Sequence, residues 1–113
     1  MKSKIISLSK NEDFKSILNG KKISNKYSTI FFKKISHKDE KKLNISFVTK
    51  KKIGNAVRRN KIKRRLRNIM NDATKNLDIN LKYCYLLIAK ISILNEPYEN
   101  IKRVLFSDFQ KIK

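Results

Sequence analysis

Apolar and polar positions alternate in blocks along the chain, some with a helical period and some with an extended one. Phe14, Ile17 and Leu18 recur at helical spacing behind Ser9-Lys10-Asn11-Glu12, which has the Ser-x-x-Glu form of a capping box. The pattern predicts a short first helix that ends at Gly20 in a left-handed conformation. Phe14 has two readings, core anchor or lining of a ligand cleft, and the usual burial of phenylalanine favours the core. Residues 27–32, YSTIFF, are β-branched and aromatic and predict a strand. Tyr27, Thr29 and Phe31 share one face of it; Ser28, Ile30 and Phe32 share the other. Residues 33–42 are polar and charged and read as a hairpin loop, with His37 facing solvent. Leu43, Ile45 and Phe47 alternate with Asn44 and Ser46, so 43–49 reads as a second, half-buried strand.

Gly54-Asn55 supplies a turn and a helix N-cap, since an asparagine oxygen accepts the free amide hydrogens of a first turn. Ile62, Leu66, Ile69, Met70 and Ala73 then form one apolar stripe. Asn60, Lys61, Arg64, Arg67 and Asn68 fall on the opposite side, with Lys63 and Arg65 on the flanks. Residues 71–82 read as a polar connection. Residues 83–89, YCYLLIA, are apolar on both faces, which suits a central strand covered on both sides and places Cys84 in the core. Asn95-Glu96-Pro97 opens a last helix, with Pro97 at its first position and Tyr98, Ile101, Leu105, Phe109 and Ile112 on its apolar face. The order helix, strand, strand, helix, strand, helix predicts an α+β chain, a small α/β sandwich with helices packed on a sheet. Its 113 residues suit a single domain, 1–113.

Charge changes this picture. The net charge is +20, and ten of the 29 Lys and Arg residues lie in 50–67. Five of the six arginines fall in 58–67, and 41–71 holds no acidic residue. A solvated helix face ordinarily mixes signs. Here seven cations between Arg58 and Arg67 have no acid to offset them, and against phosphate they release counterions and become favourable. Nucleic-acid binding therefore outweighs a merely solvated face. Charge alone does not decide between RNA and DNA, and two readings of it are a ribosomal-type RNA-binding protein and a DNA-binding module with this helix in a major groove. The last lacks the dimerising heptads of a basic zipper.

Little else suggests chemistry. The nine acids are dispersed, there are two glycines and no phosphate loop, and the single His and single Cys form no nucleophile–base pair. One cysteine permits neither an intramolecular disulfide nor a Cys-based zinc site, and fits a reducing cytoplasm. No stretch has the form of a secretion signal or a membrane span, so no membrane partner is expected. Catalysis by the chain's own side chains is not expected.

Lys51-Lys52-Ile53-Gly54-Asn55-Ala56-Val57, then Arg59-Asn60-Lys61, Lys63-Arg64 and Arg67, resembles the RNR signature of the bacterial ribonuclease P protein family. The resemblance extends to Asn11-Glu12-Asp13-Phe14 and to Leu87-Ile88-Ala89, and covers essentially the whole chain. It implies a mixed sheet with an unusual left-handed βαβ crossover, against the right-handed default. It also implies a ribonucleoprotein endonuclease that removes the 5′ leader of precursor tRNA, with the chemistry on the RNA subunit and its Mg2+. The partners so implied are the ribonuclease P RNA and precursor tRNA, with no protein partner. Carried over position by position, Lys51, Lys52, Asn55, Arg59, Asn60, Lys61, Lys63, Arg64 and Arg67 would contact the catalytic RNA. Phe14, Phe31 and Lys90 would contact the leader, which moves Phe14 from core to cleft. The chain departs from the family pattern at Lys61, where Arg is usual, and at Asn44, Ser46, Lys50 and Asn68.

Overall fold

A computed structural model describes residues 5–6, 11–35 and 41–112; Ser9 and His37 lie outside the described residues. In chain order the elements are strand β1 (Ile5–Ile6), helix α1 (Asn11–Leu18), strands β2 (Lys21–Ser24), β3 (Ser28–Lys34) and β4 (Leu43–Val48), helix α2 (Ala56–Asn76), strand β5 (Tyr83–Ala89) and helix α3 (Tyr98–Lys111). Short 3-10 turns at Lys51–Ile53 and Ile91–Ile93 precede α2 and α3. The fold is α+β, with one mixed five-stranded sheet in the order β1-β4-β5-β3-β2.

β5 occupies the centre because its side chains are apolar on both faces. It runs parallel to β4, with Asn44 opposite Cys84 and Val48 opposite Ile88, and antiparallel to β3, with Phe31 opposite Leu86. Two adjacent parallel strands need a crossover connection, and α2 is that crossover. The hairpin expected at 33–42 does not form: β3 and β4 are separated by β5, and the apolar strand later in sequence takes the place between them. The two edge strands carry no sequence signal of their own. β1 has two residues, and β2 reads KKIS, too polar and short to show a period.

The two sheet faces are covered unequally. On one, Ile30, Phe32, Leu43, Ile45, Tyr85 and Leu87 pack against the α2 stripe and against Ile101, Leu105 and Phe109 of α3. The other carries a smaller cluster of Ile17 from α1 with Ile35, Cys84 and Leu86, edged by half-buried Phe14, Phe31, Val48 and Ile88. Tyr85 anchors the larger core: its hydroxyl donates to the Asn80 carbonyl at 2.6 Å, and burial holds the phenol well above its ordinary pKa.

Several expectations need correction. Tyr27 does not share a face with Phe31; it precedes β3 and joins the core of Ile30 and Phe32. Asn25 Oδ1 turns the chain there by accepting from the amides of Tyr27 (2.7 Å) and Ser28 (2.8 Å). Gly20 has no positive φ; instead the chain presses on β3, where a Cβ would meet the Phe32 carbonyl oxygen at 2.6 Å. β4 is not half-buried, because Asn44 and Ser46 are buried as well as Leu43 and Ile45. The polar connection is shorter than expected, since α2 continues to Asn76. Pro97 is the N-cap of α3, outside the helix proper. α3 also buries Asp108, whose carboxylate accepts from Asn25 Nδ2 at 2.7 Å.

Candidate nucleic-acid interface

The basic segment is fixed at its entry by backbone geometry. Ile53, buried at the end of its 3-10 turn, pins the chain to the core. Gly54 follows with φ 154°, a conformation that side chains resist. A Cβ at Gly54 would also meet Arg58 Cδ at 2.9 Å and Cβ at 3.2 Å, so the Arg58 stem runs back across the glycine. Asn55 then caps α2 as expected: its Oδ1 accepts from the Arg58 amide at 3.0 Å. The expected stripe of Ile62, Leu66, Ile69, Met70 and Ala73 is buried along the helix, which fixes the direction of every cation around it.

The signature residues separate into three rows by helical spacing. Arg59, Lys63 and Arg67 follow one flank. Asn60, Arg64 and Asn68 follow the exposed ridge. Lys61 falls on the other flank, between Arg58 and Arg65. Lys51, Lys52, Asn55, Asn60, Lys61, Lys63 and Arg64 are exposed, whereas Arg59 and Arg67 are half-buried. The Arg67 guanidinium lies 5.9 Å from the centre of the Phe47 ring, a cation–π distance that orients it at the edge of β4. Nothing acidic precedes Asp72 on α2. Asp72 is itself engaged with α3, through Lys102 at 3.3 Å and the Tyr98 hydroxyl at 3.4 Å. It ties the two helices together and lies beyond the first turns, which contain no acid of their own.

Phe14 and Phe31 belong to a different surface. They lie together on the α1 side of the sheet, half-buried beside the Ile17 cluster, so neither is a fully buried core residue. Lys90 has a structural engagement: Nζ donates to Ser24 Oγ at 2.8 Å and to the Asn25 carbonyl at 2.7 Å, tying the end of β5 to the β2–β3 turn. It also lines a groove with Thr29, Lys50, Lys52, Ile88 and Ile91. That groove connects the basic segment to the sheet face carrying Phe31, which sequence spacing could not reveal because three separate elements meet there. Arg58 and Arg65 lie outside the matched signature, although their spacing from Lys61 places them on its flank.

Among the described residues no group of three or more His, Cys, Asp or Glu is placed to hold a metal ion. Among the same residues no helix is long and apolar enough to cross a membrane.

Comparison with known proteins gives a consistent result. Residues 3–113 match the family described as Ribonuclease P. The chain is 33% identical over 113 residues to the ribonuclease P protein component of Mycoplasma capricolum, covering 100% of both chains. It is 37% identical over 98 residues to that of Carboxydothermus hydrogenoformans, covering 83% of this chain and 79% of the relative. Among solved structures, the RNase P protein from Thermotoga maritima superposes with a TM-score of 0.80 at 25% identity, covering 96% of this chain and 98% of the other. An RNase P protein from Staphylococcus aureus does so with a TM-score of 0.77 at 27% identity, covering 94% and 93%.

Proposed function

This chain belongs to the ribonuclease P protein family, and from that premise we propose how it works in tRNA processing. As a single domain, 1–113, in the reducing cytoplasm, it grips the catalytic RNA with α2 and receives the 5′ leader of precursor tRNA on the sheet face beside α1. The RNA subunit and its Mg2+ supply the endonucleolytic chemistry. The protein's own residues bind and orient. Arg59, Arg64 and Arg67 offer planar forks that match phosphate geometry, and Lys51, Lys52, Lys61 and Lys63 add point charges. Asn55 holds the first turn in place, and Asn60 stands on the ridge, where an amide can meet ribose hydroxyls. Phe14 and Phe31 present aromatic surface on which unpaired bases stack, and Lys90 fixes the β2–β3 turn at the end of that surface.

The observation that carries this reading is the cationic surface of α2 from Arg58 to Arg67, a stretch without an acid, directed by a buried stripe and a capped, glycine-dependent entry. Its test is 5′-end processing of a precursor tRNA at low Mg2+ by a bacterial ribonuclease P RNA, with and without this chain. Protein-dependent cleavage at the mature 5′ end is expected. Absence of stimulation by a folded, RNA-binding protein would instead support a ribosomal-type structural role.

A further inference from the structure

A groove runs along the flank of α2 that faces the connection between β5 and α3. It is lined by Arg58, Lys61 and Arg65 on the helix, by Leu94 and Asn95 on the connection, with Ile62 at its base. Only Lys61 of these belongs to the family signature described above. We infer that this groove is a second phosphodiester-binding site, which takes a strand of the ribonuclease P RNA distinct from the one on the ridge and the opposite flank. The inference rests on the proposed binding of that RNA and adds to it a second strand and the residues that hold it.

Three observations carry it. The cations are at i, i+3 and i+7, so they stand in one row and not around the helix. Arg58 is preorganised: its amide is capped by Asn55 and its stem lies across Gly54, within distances that any Cβ at residue 54 would obstruct. Arg65 is half-buried, so its stem is held by packing while α2 provides no acid near it to take its charge. Glu96, the acid next to Asn95, accepts from Asn100 of α3 at 3.2 Å. A helix with its side chains is about 10–12 Å across, so cations on its two flanks are too far apart to share one phosphate. They suit two backbone strands, one on each side of the exposed ridge.

The experiment uses the full chain and ribonuclease P RNA, with affinity measured across a series of salt concentrations. For the double variant Arg58→Gln/Arg65→Gln, the log–log salt slope is expected to shrink by about 0.7–0.9 for each phosphate no longer neutralised. The Arg58→Lys/Arg65→Lys variant is expected to recover most of that slope. In a second arm, a hydroxyl-radical-generating iron chelate is tethered at Asn95→Cys or at Asn68→Cys; both positions are exposed, and native Cys84 is buried. The two tethers are expected to cut separate stretches of the RNA backbone. A folded Gln variant with wild-type affinity and slope would overturn the inference, as would an Asn95 tether that cuts nothing or cuts only where the Asn68 tether does. A wild-type chain that fails to bind this RNA would overturn the underlying reading, and this one with it. The tether arm leaves both arginines in place, so it decides the question even if the double variant does not fold.

Discussion

The two faces of the sheet share the same five strands but are finished differently. One is sealed by two helices, and its side chains are large, apolar and almost wholly excluded from water: Tyr85, Leu87, Leu105 and Phe109 are 0–1% exposed. Among the described residues the other is met by one helix, the eight-residue α1, and Phe31, Val48 and Ile88 are half-buried beside it. The sealed face therefore holds the larger core, and the open face keeps Phe14 and Phe31 partly accessible.

The largest test of this contrast is Phe109→Ala. It removes a fully buried ring that stacks near Tyr85 (centroids 5.2 Å apart), and a loss of about 3–5 kcal/mol in denaturant unfolding is expected. A loss below about 1 kcal/mol would mean the sealed face is not the main source of stability. Gly20→Ala pushes a methyl group against the backbone of β3 and should strain the seat of α1. The expected destabilisation is about 1–3 kcal/mol, with hydrogen exchange accelerated in α1 and β2 before α2 and α3. Uniform acceleration would show that α1 is bound into the main core. Phe31→Ala should weaken binding of leader-bearing precursor tRNA by about 1–3 kcal/mol while leaving mature tRNA almost unaffected. Equal losses for the two ligands would assign Phe31 a purely structural role. Asn55→Ala deletes the α2 cap and should lower stability by about 1 kcal/mol, with a smaller effect on the open face. An unchanged melting curve would show that Gly54 and Ile53 alone fix the start of α2.

The elements legible in the sequence are those whose burial pattern is one-sided and long. The α2 stripe can be read residue by residue because five apolar positions keep helical phase and every other position from Arg58 onward is polar. β5 is legible for the opposite reason, being apolar throughout. β2 is not, because an edge strand with both faces near solvent carries no period, and its lysines resemble a loop. Strand order is hidden at 33–42 because polarity marks a connection without stating whether it is a hairpin or a longer path. Gly20 misleads because a glycine needed for close approach looks, in sequence, like one needed for a left-handed turn. The cationic residues are legible through their spacing and their likeness to a signature. The groove that joins Lys52 to Lys90 needs segments distant in the chain to meet, and the engagement of Lys90 with Ser24 and Asn25 spans 66 and 65 residues.

The central place of β5 also constrains when the chain can fold during its own synthesis. β2 and β3 pair with each other, and β1 pairs with β4, but these two halves are joined only through residues 83–89. At roughly 5–20 residues per second, translation leaves the basic segment outside the ribosome for a second or more before β5 can follow and unite the sheet. During that interval α2 has no completed wall to lie against, and its cations emerge beside the ribosome's own RNA. A late-arriving central strand therefore leaves the apolar stripe of nascent α2 without its wall until the last third of the chain is made, whereas its cations face solvent before and after.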